Sequence, residues 1–584
     1  MAGARQFSAD SSLLLRAAVQ AGSQAVTTSL EPTQSMKTVL ITLTLLLTTA
    51  AYAAPPAIDE AALKRDTQVL SSDAFEGRKP GTPGGDKAVA YMIERFKAVG
   101  LKPGNHGGWT QDVPMVSSTA DPALTLTVSG AATPLTFRQK DDVVLWTKRQ
   151  VDRAVVANSD IVFAGYGIVA PERGWNDYAG FDVRGKTVIV LVNDPDWQTP
   201  TETGRFDGRR MTYYGRWTYK YEEAARQGAA AIIIVHETEP AAYPFEVVVN
   251  SNTGTKIDLD IPAEAAKRAM VEGWMTQGAA QQLFAAAGKD LGALTQAAQT
   301  VGFRAVPLGL KASTSFANTL VHSKSYNVVG ILPGAKRPDE MVIWTAHWDH
   351  FGRCPADATG DDICNGALDN ASGSAGLIAV ADALAKAPRT ARSQLFVSVT
   401  GEEQGLLGSD YYASNPVYPL AKTVGGINMD GLNVLGKTRD VVLIGAGKSE
   451  LEPIFIGIVK AQGRHISPEP SVEKGMFYRS DHFSLAKRGV PMLDVDSGLD
   501  VIGKPAGYGQ RMADDYTANR YHKPSDQYDA NWNWSGAVED LQAYVEVATV
   551  LGNSSDWPNW YKTAEFRAAR DASRGASNAG GGQP

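Results

Sequence analysis

The sequence predicts an α/β protein, a largely parallel sheet flanked by helices with a second, β-rich segment set into it. Three observations carry that reading. After about residue 322, short apolar runs alternate with amphipathic helical stretches. Residues 57–115 read as helix, turn and helix. Between them, roughly residues 155–310 follow a strand-and-helix rhythm of their own. At 584 residues and 43% apolar, the chain is long enough for two or three domains, each with a real core.

The first 53 residues are set aside before the fold is considered. Met36-Lys37 opens a stretch, "TVLITLTLLLTTA" then "AYA", with a charged start, an apolar core and a small-x-small end at Ala53. This is the layout of a secretory signal peptide over 36–53, with Ala54 as first mature residue and 1–35 as an upstream extension. A membrane anchor is the alternative, but the run is short against the ~20 residues that a span needs. The expected location is therefore outside the cytoplasm, periplasmic or extracellular, with no membrane association after cleavage. In such an oxidising compartment, Cys354 and Cys364, the only two cysteines, fit a local disulfide across "CPADATGDDIC"; two free thiols are the alternative.

The elements follow in order. "EAALKRDTQVLSS" and "GGDKAVAYMIERFKAVG" are amphipathic helices joined by the Gly/Pro-rich loop "FEGRKPGTPGG". Residues 54–120 thus form the N-terminal part of the main domain. From about 120, "ALTLTVSG" begins a strand pattern. "DIVFAGYGIV", "KTVIVLVN" and "AAIIIVHE" are strands, and "YKYEEAARQGA" is a helix closed by Gly228. This segment, 121–314, brings no dense cluster of His, Asp and Glu and reads as an inserted accessory domain. The main domain resumes over 315–560 with strands "YNVVGIL", "EMVIWTA", "SQLFVSVT", "VGGINMD", "DVVLIG" and "VPMLDV". Helices "SGSAGLIAVADALAKA", "SELEPIFIGIVKAQG" and "SGAVEDLQAYVEVATVLG" separate or follow them. Residues 561–584, ending "GASNAGGGQP", are expected to be a disordered tail.

The net charge of −7 and the lack of a dense Lys/Arg block argue against nucleic acid as partner. Two cysteines exclude a thiolate cluster, so any metal here must use nitrogen and oxygen ligands. In an open α/β sheet, ligands bind beyond the carboxyl ends of the strands. "EMVIWTA" is followed by His347 and Asp349, and the next loop carries Asp369 just before a helix. "SQLFVSVT" is followed by Glu402-Glu403, and "VGGINMD" ends in Asp430. Any one of these is commonly a helix cap or a solvated turn. Their coincidence at successive strand exits points to cations, because clustered carboxylates repel unless neutralised. A two-metal hydrolytic site fits the inventory, with Asp369 bridging, His347 and Asp430 on one ion, and Glu403 with a further histidine on the other. The spare carboxylate, Glu402, is then the general base.

The series "HWDH", "NGALDNASG", "TGEEQGLLGS", "NMDG" and "YHKPSDQYD" resembles the secreted di-zinc aminopeptidase family, which includes bacterial leucyl-type aminopeptidases and glutamate carboxypeptidase-like zinc peptidases. Order and spacing agree over 322–552, and "SSDAFEGRKPGTPGGDKAVAYM" is similar to the family's N-terminal piece. The resemblance implies a zinc-exopeptidase (phosphorylase/hydrolase-like) three-layer sandwich with a mostly parallel sheet. The inserted segment would be a β-rich protease-associated domain. It further implies two Zn²⁺ per chain (Co²⁺ or Mn²⁺ being possible by ligand type), peptide substrates, and a cis peptide bond after Asp369. The implied zinc ligands are His347, Asp369, Glu403, Asp430 and His522; Glu402 is the general base, and Asp349 orients His347 through its far ring nitrogen. His482 competes with His522 for the last ligand position, and the motif favours His522. His350 is left as a loop residue. Tyr521 or Tyr478 would support the developing oxyanion. Aminopeptidase activity is the first expectation. The alternatives are a carboxypeptidase or dipeptidase, for which Arg479 and Arg488 are candidate carboxylate binders, a one-zinc glutaminyl-cyclase-like enzyme, and a non-catalytic receptor-like module. Oligomeric state is not readable.

Overall fold

The computed structural model describes residues 57–579; the expected signal peptide and upstream extension lie outside the described residues. Continuous apolar runs become fully buried strands. Arg337–His347, Arg392–Val399 and Thr423–Asn428 sit side by side in parallel, and Met492–Asp496 adds a fourth parallel strand. Antiparallel strands flank this centre: Thr110–Ala120 beyond the C-terminal half of Val306–Leu332 on one side, and Asp440–Leu443 on the other. The sheet is thus mixed at its edges and parallel where strand ends converge.

Alternate residues of the central strands face two helical layers. Val342, Trp344 and Ala346 pack with helices Glu60–Leu70, Pro83–Ala98, Gly373–Lys386 and Ser535–Asn553. Met341 and Ile343 point the other way, toward Tyr412, Ala413 and Leu485. Burying both faces explains why these strands lack the polar alternation of a half-exposed sheet.

A second sheet is built from residues 125–317. Parallel pairs join Arg153–Phe163, Thr187–Leu191, Ala231–His236 and Val271–Thr276, with antiparallel strands at both ends. The 27-residue strand Val306–Leu332 belongs to both sheets. Ala317 pairs with Arg153 of the second sheet and Asn318 with Ala120 of the first, so the crossing is uninterrupted β-structure.

The expectation of a disordered tail over 561–584 is corrected as far as residue 579; residues 580–584 lie outside the described residues. Helix Arg567–Ala579 follows Trp560, and Trp560, Phe566 and Arg570 are buried. The Arg570 guanidinium donates to the carbonyls of Leu420 and Val424. The small-residue run 575–584 suggested disorder, but Phe566 and Arg570 earlier in the same segment are buried, beside Trp560 at the end of the main domain. Cys354 and Cys364 form a disulfide. Among the described residues, no helix is long and apolar enough to cross a membrane.

Candidate metal centre

The parallel register fixes which residues meet. His347 is opposite Val399, and Thr345 is opposite Asn428, so the segments that follow all leave the sheet at one edge. His347 ends its strand fully buried. Asp369 lies in the irregular turn Ala367–Ser372 before helix Gly373–Lys386, and the Asp369–Asn370 peptide is cis. Glu402 and Glu403 occupy the turn after Arg392–Val399, and Asp430 the turn after Thr423–Asn428. His522 comes from the loop after helix Tyr508–Asn519, at the left-handed backbone angle φ 59°.

Two groups share Asp369. His347 Nε2 lies 3.4 Å from Asp369 Oδ1 and 3.2 Å from Asp430 Oδ1. His522 Nε2 lies 3.3 Å from Asp369 Oδ2 and 3.2 Å from Glu403 Oε2. Glu402 stands off from both, its Oε2 4.0 Å from His347 Nε2. His522 Nε2 is buried without a hydrogen-bond partner of acceptable geometry. An orphaned ring nitrogen among converging carboxylates is what a cation would satisfy, and the donor set, nitrogen and oxygen only, suits zinc. Ligand atoms of His347, Asp369 and Glu403 all lie within 4.8 Å of one another, which fits a metal ion.

The field across the site is steep. Burial alone would strip His347 of its proton, but Asp430, Glu402 and Asp369 outweigh it and hold the imidazole well above its usual range. His522 is lifted to about 10 against the effect of burial, chiefly by Glu403 and Asp369. Asp369 stays well below the carboxylate range despite burial because both rings face it. Glu402 is pushed well above its ordinary value by burial, then by Asp430, Glu403 and Asp481, with His347 opposing.

The supporting contacts differ from expectation at three positions. His347 Nδ1 meets the backbone carbonyl of Asp349 at 3.1 Å, while the Asp349 carboxylate lies 3.8 Å away. That carboxylate accepts the Glu402 backbone N–H at 3.2 Å and so fixes the glutamate turn. His350, left as a loop residue by sequence, is fully buried with Nδ1 2.5 Å from Glu403 Oε1. Tyr478 is not an oxyanion donor here: its hydroxyl donates to Glu565 Oε1 at 2.7 Å and accepts from Lys448. Tyr521, by contrast, lines the cleft, stacked on His522 with ring centroids 3.6 Å apart. His482 is buried elsewhere, donating from Nε2 to the Phe477 carbonyl at 2.6 Å. Sequence reasoning also missed two acceptors and donors that hold ligands in place. Asp526 accepts the backbone N–H groups of Leu368 and Asp369, and Ser480 Oγ donates to Asp430 Oδ2 at 2.6 Å. The acid in "YHKPSDQYD" was the only visible signal for the first; a serine before "DH" gave none.

The site opens into a cleft of about 1950 Å³ whose far wall, including Trp146, Arg216 and Tyr243, comes from the second sheet's segment.

Residues 327–546 match peptidase family M28. A probable zinc metalloprotease of Leptosphaeria maculans is 27% identical over 250 residues, covering 41% of this chain and 54% of that protein. Aminopeptidase NAALADL1 of Mus musculus is 33% identical over 130 residues, covering 21% of this chain and 16% of its own. The chain thus spans about half the length of the first curated relative, 54%, and far less of the second. Among solved structures, an aminopeptidase from Aneurinibacillus sp. strain AM-1 aligns over 86% of this chain and 96% of its own, at 19% identity and a TM-score of 0.47. The match to peptidase family M28 over residues 327–546 spans every strand exit described above, together with His522.

Proposed function

We propose that this chain is a zinc-dependent exopeptidase, an aminopeptidase acting on peptides with a free N-terminus. The observation that carries the reading is the pair of histidines, His347 and His522, closing on opposite oxygens of Asp369, each with its own second carboxylate. Two zinc ions would be held here, one by His347 and Asp430 and the other by His522 and Glu403, with Asp369 beside both groups. The arrangement speaks against a one-zinc cyclase-like site and against a receptor-like module that has lost ligands.

When bound, zinc supplies Lewis acidity, polarising the scissile carbonyl and making water a usable nucleophile near neutral pH. The chain's residues do the rest. Glu402, facing the cleft and anchored at its backbone by Asp349, takes the proton from the attacking water and passes it to the leaving amine. Tyr521, whose hydroxyl burial and then Asp369 and Glu403 hold protonated, donates toward the developing oxyanion. Ser480 and His350 keep Asp430 and Glu403 aimed inward. The second-sheet segment, proposed as a protease-associated domain, walls the cleft and limits access to it. Export is part of the same proposal, and the Cys354–Cys364 disulfide supports it.

One observation favours carboxypeptidase action as a second reading. Arg216 Nε is buried without a partner in the cleft wall. Burial, then the neighbouring Arg479, pushes that guanidinium down to about 10, and among the described residues no carboxylate pairs with either arginine where they line the cleft. Hydrolysis of one peptide in N-acetylated and in C-amidated form separates the readings. The aminopeptidase loses activity on acetylation and keeps it on amidation; the reverse pattern overturns the assignment.

A further inference from the structure

The loop "FEGRKPGTPGG" lies some 250 residues before the family match begins, yet it runs through the metal centre's supports. Arg78 is fully buried, and its guanidinium makes four hydrogen bonds, all to backbone carbonyls. Nε donates to Trp348, the residue after His347, at 2.8 Å. Nη1 donates to Asn365 at 2.6 Å and Nη2 to Gly366 at 2.9 Å, the residues that lead into the Asp369 turn. Nη1 also takes the Leu70 carbonyl at 2.8 Å, at the end of helix Glu60–Leu70, where a positive charge is favoured. The Arg78 carbonyl in turn accepts from His350 N at 3.4 Å, and His350 holds Glu403.

One side chain therefore ties together the segments bearing His347 and Asp369, and the Arg78 backbone meets His350, which holds Glu403. The neck of this grip is tight. Gly77 is left-handed, and a Cβ there would lie 2.5 Å from the Cys364 carbonyl and 2.6 Å from that of Gly352. The carboxylates nearest in effect to Arg78 are Asp349, Asp526, Asp369 and Glu403, all members or supports of the site. A planar fork with donors in fixed directions suits this task; a lysine ammonium cannot reach the same carbonyls at once.

We propose that Arg78 is a positioning residue of the metal centre, setting the spacing between the His347 and Asp369 segments. The proposal rests on the zinc-peptidase reading of the site. Ligand-supporting contacts of this kind are worth about 10–100-fold in metal affinity.

The test uses the full chain with Arg78→Lys and Arg78→Gln, and with Arg570→Lys as a control buried arginine remote from the site. Zinc affinity is read by competition with a chromogenic chelator, folding by circular dichroism and thermal melting, and kcat and KM on one peptide substrate. Arg78→Lys is expected to fold, to bind zinc at least tenfold more weakly, and to lose kcat with little change in KM. Arg570→Lys is expected to melt earlier with zinc affinity within twofold of wild type. Zinc affinity and kcat within twofold of wild type in Arg78→Lys overturn the proposal. So does failure of both Arg78 variants to fold, which would make Arg78 a folding residue. A wild-type chain that binds no zinc would instead refute the underlying functional reading.

Discussion

Glu402 and Glu403 are neighbours in the chain, but their surroundings divide them. Glu403 is fastened by His350 and faces His522, which hold it charged against the cost of burial. Glu402 has no such partner; burial and three acids raise its affinity for a proton, with His347 opposing. One is placed to hold a cation, the other to exchange a proton. Glu402→Gln should keep zinc binding and lower kcat by about 10²–10⁴-fold, the range of general acid–base catalysis; equal kcat measured at full metal loading would contradict the assignment. His482 tests a different kind of burial. The ring is enclosed and pushed down to about 3 from an ordinary 6.5, chiefly by burial. The unfolded imidazole therefore takes up a proton near pH 6.5 while the folded one does not. Its stabilisation is complete above pH 6.5 and is lost as pH falls toward 3, by about 2 kcal/mol at pH 5. Denaturant titrations of His482→Asn and wild type at pH 7 and pH 5 should show the variant less pH-sensitive by that amount. Residues that end strands were legible because a buried run followed by an acid or histidine is a one-dimensional signal. His350, Ser480 and Asp526 were not, since their partners lie 53, 50 and 157 residues away. Tyr478 was misjudged for the same reason: Glu565, which captures its hydroxyl, is 87 residues distant.

The elements repeat this contrast. Continuous apolar runs gave the central strands, and helical spacing gave the helices against them. The Gly/Pro-rich loop 75–85 looked like a plain connector because its composition announces a turn and not what the turn grips. Glu76, Gly77 and Arg78 are left-handed in succession, which inserts the loop between the carbonyls of Gly352 and Cys364. Gly77→Ala should therefore destabilise the chain by about 2 kcal/mol or more and weaken zinc binding, since the added Cβ meets backbone on two sides. Gly100→Ala, also left-handed but with open space around it, should cost only about 1 kcal/mol and leave zinc binding unchanged. Thermal melts with chelator competition distinguish the two; similar effects from both would remove the special role of the loop. At the C-terminus, the small-residue run 575–584 outweighed Phe566 in the reading of 561–584, although Phe566, packed on Trp560, anchors the last helix.

At the scale of the molecule, two sheets share one strand, Val306–Leu332, and the cleft between them carries the metal centre on one wall. The pattern along the chain shows where the second segment interrupts the first, but not that its arginines and aromatics face the site. That proximity arises only when the shared strand and the Thr110–Ala120 pairing set both sheets side by side. The central claim is that the converging histidines and carboxylates hold catalytic zinc. Its most direct test is elemental analysis of the purified chain together with peptidase assays before and after chelation. The account predicts two zinc ions per chain, loss of peptide hydrolysis when they are removed, and its return on adding zinc back. Hydrolysis that persists in metal-free protein, or a chain that takes up no zinc, would contradict it.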